Sequence, residues 1–280
     1  MVKALIVTCA ALAAAACGSE ADDASAPTLP ICDGSADLTL RIFYSGGGMD
    51  YPGSAVRREN GAPSLAVDGQ CRYFMSGGWL EDRQSSDLGW RQGILPDELE
   101  RALEQRVGSD LEQTYGCGDG FIVDAPSSVI ANTHSALTCP GGGGQSVLDV
   151  FAFVRQHARE LWAAGQALQD DLHIAVVEPR DGGPVRKYDW PSGLDLHDDL
   201  EPVSLAAALE GRDRRRRVPA AEAAPFRAIR EQYLRDTEPA SAGYTAAGIP
   251  VTDGELSATL FMRDALPYED EQGILPLPGE

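Results

Sequence analysis

Four cysteines, Cys32, Cys71, Cys117 and Cys139, constrain this 280-residue chain more than any other feature, because two bonds among them would fix its first half covalently. Whether they pair depends on where the chain folds, and residues 1–16 speak to that. Lys3 precedes thirteen residues, 4–16, in which Thr8 is the one clearly polar side chain. Such a run is the apolar core of a signal peptide. It is shorter than the roughly 20 apolar residues that a membrane-spanning helix needs. An exported chain folds among oxidants, so an even count of cysteines behind a leader implies two disulfides. Four cysteines allow three pairings. The sequential one, Cys32 with Cys71 and Cys117 with Cys139, is expected because each bond then closes one supersecondary unit, at ~3 to 4 kcal/mol each in the chain-entropy model. A four-thiolate metal site is the alternative, and no pair has the short C-x-x-C spacing of such sites.

Residues 14–17 read Ala-Ala-Ala-Cys and are followed by Gly18-Ser19-Glu20. This stretch resembles the lipobox of bacterial lipoproteins, with Ala14 where that class more often has leucine. The resemblance implies a signal peptide over 1–16, diacylation of Cys17 on sulfur, and Cys17 as first residue of the mature chain. Several acyl chains at ~0.8 kcal/mol per buried methylene hold a protein on a membrane essentially permanently. Glycine after the cysteine implies an outer-membrane rather than inner-membrane address. Ala14 and Ala16 also satisfy the small-x-small rule of ordinary secretory cleavage, which would release a soluble secreted or periplasmic protein. Behind the cysteine, residues 17–30 are small, acidic and proline-containing, the composition of a solvated tether. Residues 31–280 are then expected to form one domain.

The chain carries 23 basic and 43 acidic residues, a net of −20 that becomes −21 once the leader takes Lys3 away. Such a surface repels nucleic acid and anionic lipid headgroups, and neither is expected as a partner. The contrary patch, residues 212–217, reads RDRRRR; it is either a docking site for an acidic partner or a loop neutralised by its own surroundings.

Alternation over residues 37–45 puts Leu38, Leu40, Ile42 and Tyr44 on one face of a strand. Two extended runs, 64–67 and 70–75, flank Asp68-Gly69, which suits a two-residue type I′ turn. After Pro96, Leu99, Leu103 and Val107 recur every four residues, and Gly108 ends the helix. Strands are expected at 120–124, 129–132, 173–177 and 256–262, a long helix with a capping-box start at Ser146 over 146–168, and helices over 204–209 and 226–234. Residues 184–201 read as a long irregular loop, and 267–280 as an acidic, proline-rich tail lying extended on the surface. The fold class is therefore α+β, a largely antiparallel or mixed sheet with packed helices.

Motifs that carry chemistry are sparse: the chain has no G-x-S-x-G elbow, H-E-x-x-H helix, Walker lysine or EF-hand loop. Three glycine clusters, 46–48, 116–120 and 141–144, read as flexible connections; the last precedes a helix but has Gln145 where a phosphate loop needs lysine. Oxygen-rich residues crowd at Asp195, His197, Asp198 and Asp199, where a divalent cation such as calcium would sit; otherwise no cofactor is expected. His157 and Glu160 share a helix face and would need a third ligand from elsewhere. Trp79 and Trp90 lie in a polar stretch, and either cover the open end of the sheet or expose flat faces that stack on sugar or peptide. The expected function is that of a lipid-anchored cell-envelope protein, non-catalytic, whose disulfide-braced domain binds a protein or glycan. The alternative is an exported hydrolase using a carboxylate pair or a weak metal site at 195–199.

Overall fold

The computed structural model describes residues 29–45, 64–80, 89–108, 111, 115–117, 126–177, 187–191, 216–236, 248–254, 257–269 and 276–278. The leader, Cys17, the strand expected at 120–124, the helix expected at 204–209 and the cluster Asp195, His197, Asp198 and Asp199 lie outside them. Within them the fold is α+β, built on two sheets.

The larger sheet has seven strands in the order β6-β5-β1-β2-β3-β4-β7, every neighbour antiparallel. They are β1 (Leu38–Ser45), β2 (Ser64–Asp68), β3 (Arg72–Ser76), β4 (Trp90–Ile94), β5 (Ser127–Asn132), β6 (Ala136–Cys139) and β7 (Gln166–Ala167). Two helices cover one face, α1 (Asp97–Val107) and α2 (Gln145–Ala164). From α1 come Leu99, Leu103 and Val107, the stripe read from the sequence; from α2 come Val147, Val150, Phe151, Val154, Ala158 and Leu161. They meet Leu40, Ile42, Leu65, Val67, Tyr73 and Met75 of the sheet. Each such side chain contributes about 1.5–3 kcal/mol by leaving water, so this core dominates the first half of the molecule.

Local differences from the sequence reading have physical causes. A bulge between Leu38 and Leu40 turns Leu38 to the opposite face from Leu40 and Ile42. The β2–β3 connection is a three-residue loop, Gly69 to Cys71, rather than a two-residue turn. Its left-handed residue is Cys71, at φ 61°. Asp68 stabilises the loop by accepting the N–H groups of Gln70 and Arg72 on Oδ1, at 3.0 and 2.8 Å. Gly69 is there for room: a Cβ would lie 2.0 Å from Asp33 Oδ1 and 2.7 Å from the Ser35 nitrogen, because residues 33–35 lie over the loop. Helix α2 starts after Gly144 with no side-chain cap, so Ser146 forms no capping box. Gly165 in extended conformation ends it, earlier than expected, and residues 166–168 turn to pair with β4 and bury Leu168.

Both disulfides form in the sequential pairing, Cys32–Cys71 and Cys117–Cys139, each with its Cα atoms 4.9 Å apart. The first ties Cys32, ahead of β1, to the hairpin loop, and the second ties residue 117 to the end of β6.

The smaller sheet orders its strands β10-β8-β12-β11-β9. These are β8 (Leu172–Val177), β9 (Tyr188–Asp189), β10 (Arg216–Val218), β11 (Ile249–Thr252) and β12 (Ser257–Asp264), antiparallel except for the parallel pair β11 and β9. Helix α3 (Ala220–Asp236) packs Ala223, Phe226 and Ile229 on Leu172, Ile174, Val176, Leu260 and Met262. It starts six residues before the expected helix and carries Pro225 inside. Asp171 caps it from β8's leading edge, its Oδ1 accepting the Ala220 N–H at 2.8 Å.

A third cluster joins the two halves. Leu38, Ala66, Phe74 and Trp90 on the far face of the large sheet meet Leu168 and Leu266, with Tyr268 packed against them. The tail is thus not wholly a surface ribbon: residues 265–269 are packed between the sheets.

Candidate functional site

The densest concentration of buried charge lies at this seam. Strand pairing aligns Arg217 of β10, His173 of β8 and Arg263 of β12 side by side, on the sheet face opposite α3. Two arginines flanking an imidazole on neighbouring strands repel one another unless an anion intervenes. Two carboxylates do so. Asp171 Oδ2 accepts Arg217 Nε at 2.7 Å, and Glu269 reaches in from the tail.

Glu269 is almost completely enclosed, its side chain 3% exposed, with His173 at 1% and Arg263 at 2%. Its Oε1 accepts a hydrogen bond from Arg263 Nη1, and its Oε2 accepts the Leu266 N–H at 3.0 Å. His173 Nε2 lies 3.0 Å from the same Oε2, a close contact too bent for a well-formed hydrogen bond. Burial pushes the Glu269 carboxyl upward, but His173, the Arg263 charge and the Leu266 N–H outweigh it, so its pKa lies below the ordinary value. Asp171 is likewise held low: burial raises it, and Arg217 with the Ala220 N–H lowers it further than that.

On the α3 face of the same strand, Asp264 is 1% exposed and receives Arg227 Nη2 on Oδ1 at 3.0 Å and Arg230 Nη1 on Oδ2 at 3.4 Å. The chain of the large sheet passes so close that a Cβ on Gly89, at φ 85°, would sit 2.2 Å from Asp264 Oδ2. A third pair closes the seam from the large sheet. Asp68 Oδ2 accepts Arg72 Nε at 2.7 Å and the Tyr268 hydroxyl at 2.5 Å, and Arg72 Nη2 donates to the Tyr268 oxygen at 2.8 Å. Burial, and then the hydrogen bond to Asp68, push the Tyr268 phenol up to about 12, so it stays protonated and donating.

A histidine, a glutamate and an arginine in contact have the parts of an acid–base centre. Here both oxygens of the glutamate are engaged by Arg263 and the Leu266 N–H, and the group holds the tail against the sheet. Nδ1 of His173 has no hydrogen-bond partner among the described residues.

The residues singled out from the sequence fall elsewhere. Trp79 is 1% exposed and packs on Phe151, with ring centroids 5.7 Å apart; Trp90 is 4% exposed within the seam. Neither offers a face to a ligand. The 3-10 turn Gly77–Leu80 folds Trp79 under α2, and pairing of β4 with β3 turns Trp90 onto the same sheet face as Phe74. His157 Nδ1 lies 3.6 Å from Glu160 Oε2 on an open helix face. Among the described residues, the set of His, Cys, Asp and Glu groups close enough to share a metal ion is Cys32, Cys71 and Glu100, whose two sulfurs are bonded to each other. Of the arginine patch 212–217, Arg216 and Arg217 are described, and Arg217 is neutralised internally by Asp171.

Glu269, Tyr268, Arg263 and Asp264 escaped the sequence reading. A signal was present: Arg263 and Asp264 directly follow the apolar run Leu260-Phe261-Met262, and Leu266 and Tyr268 stand just ahead of the acidic run Glu269-Asp270-Glu271. Among the described residues no helix is long and apolar enough to cross a membrane. No known protein family, curated protein or solved structure matches the chain.

Proposed function

We propose that the chain is a lipid-anchored protein of the bacterial cell envelope that acts by binding a protein or glycan. Cys17 carries the acyl chains, residues 18–30 form the tether, and the outer membrane is the expected destination. The observation that carries the envelope assignment is the pair of disulfides, because both bonds require an oxidising compartment and each closes a unit on the seven-stranded sheet. In favour of binding over catalysis is the use made of the most enzyme-like group: the Glu269 carboxylate has Arg263, Leu266 and His173 as fixed neighbours, an arrangement suited to holding the fold.

Intact-mass measurement on protein extracted from membranes tests the anchor. The expected product begins at Cys17 and carries diacylglycerol, and Cys17→Ser leaves an unprocessed chain. A soluble chain beginning at Cys17 without acyl mass would sink the proposal. Binding is tested by chemical crosslinking in intact cells, where a saturable partner is expected.

A further inference from the structure

The two sheets have separate cores, each with its own helix cover, and meet through a small shared cluster. Residues 265–269 supply much of that meeting. They leave β12 and place Leu266 and Tyr268 on the Phe74–Trp90 face of the large sheet, Tyr268 lying edge-on to Phe74 at 5.7 Å. Ala265 N–H donates to Asp171 O at 2.9 Å, one step further along the β12–β8 register, and beyond it Glu269 N–H donates to Leu266 O at 3.2 Å. What fixes them is side-chain chemistry at two points: Tyr268 on Asp68 and Arg72, and Glu269 on Arg263 and His173. A short segment held by few backbone bonds opens at lower cost than the sheets on either side.

We propose that residues 265–269 are an intramolecular ligand, a latch seated in a groove that binds an aromatic–acidic peptide segment. The groove has two subsites. Phe74, with Asp68 and Arg72, takes the tyrosine; Arg263, with His173, takes the carboxylate. When the latch lifts, the apolar face is bared and the row Arg217–His173–Arg263 loses the Glu269 carboxylate, with Asp171 still on Arg217. An incoming segment with a tyrosine followed by an acidic residue replaces both contacts. This specifies the partner of the binding role proposed above, and it stands whether or not Cys17 is acylated.

Hydrogen exchange on the full chain tests the latch without any substitution. The amides of Leu266 and Glu269 are expected to exchange at least ~10-fold faster than those of Leu40 and Ile42 in β1; equal protection, meaning that the latch opens only when everything unfolds, overturns the proposal. Tyr268→Phe keeps the ring and removes the hydroxyl. It should speed exchange at 265–269 while leaving α2 unchanged, and an unchanged latch counts against the proposal. The groove is tested with Tyr268→Ala/Glu269→Ala protein and a synthetic peptide of residues 265–270, Ala-Leu-Pro-Tyr-Glu-Asp. Added peptide should slow exchange in β2 and β3 of that variant, and the peptide with Tyr and Glu replaced by alanine should not; equal effects of the two refute the groove. If the double variant fails to fold, the wild-type and Tyr268→Phe measurements decide.

Discussion

The two sheets solve the same problem in different ways. The seven-stranded sheet buries a broad apolar face under α1 and α2 and is stapled twice by disulfides. The five-stranded sheet has one described helix, no disulfide among the described residues, and charged side chains pressed into both of its faces: Asp264 toward α3, His173 and Arg263 toward the tail. Apolar burial and disulfides contain no group that protonates in acid. Buried ion pairs do, and loss of one partner leaves the other charge stranded. The molecule is thus robust at one end and conditional at the other.

Breaking the staple should cost most. Cys32→Ala/Cys71→Ala opens a link between residues 39 apart and is expected to lower stability by about 4 kcal/mol, read as a shift in denaturant midpoint. The loss should track Trp79, Trp90 and Trp162 fluorescence. Trp190, which stacks edge-on with Phe226 at 5.4 Å, reports the other half and should follow later. Coincident transitions at all four tryptophans would erase the contrast between halves.

Glu269→Gln comes next, at about 3 kcal/mol, because Arg263 loses its countercharge in a site that excludes water. The same residue makes the contrast depend on pH. Its folded pKa is depressed, so its contribution is complete above the ordinary carboxylate value of about 4.3 and drains away as pH falls through the lower folded value. The unfolding midpoint should drop on acidification below about pH 4.3 more steeply in wild type than in Glu269→Gln. Parallel curves would mean that other carboxylates set the acid limit.

Gly69→Ala sharpens the picture within the stapled half. The methyl group meets Asp33 and the Ser35 nitrogen, and overpacking of this kind costs about 2 kcal/mol; an unchanged midpoint would show that residues 33–35 yield freely. Arg106→Ala should have the smallest effect, about 0.5 kcal/mol, since it removes a cation–π contact with Phe153 on the helix surface. A larger loss would mean that α1 and α2 depend on it for more than this contact.

The first half was the more legible in sequence, for the same reason that it is robust. Leu99, Leu103 and Val107 repeat with the helical period, and Leu40 and Ile42 alternate with the strand period, because each side chain's place is set by one apolar face. In the second half β8 and β12 were legible, at 173–177 and 256–262, but β9, β10 and β11 have only two to four residues, too short for any period to show. Its decisive residues are charges, and composition treats a charge as solvent-facing until its partner is known. Glu269 looked like one acid among many in an acidic tail; Arg263, six residues before it, and His173, far away in sequence, give it its place. For the tryptophans the sequence left two readings, cover for the sheet or faces open to a ligand, because their chain neighbours are polar; turn and strand geometry imposes burial.

The Cys32–Cys71 bond also has a mechanical consequence. Cys32 precedes β1 by only a few positions. Any tension applied to the chain ahead of Ile31 enters at Cys32 and is shared at once, through sulfur, with the tip of the β2–β3 hairpin. β1 lies between its hydrogen-bonded neighbours β2 and β5, so a pull that would otherwise peel it away like a zipper has to drag the hairpin with it. The bond turns an unzipping load into a shearing one, so a pull on the chain ahead of Ile31 meets two strands instead of one.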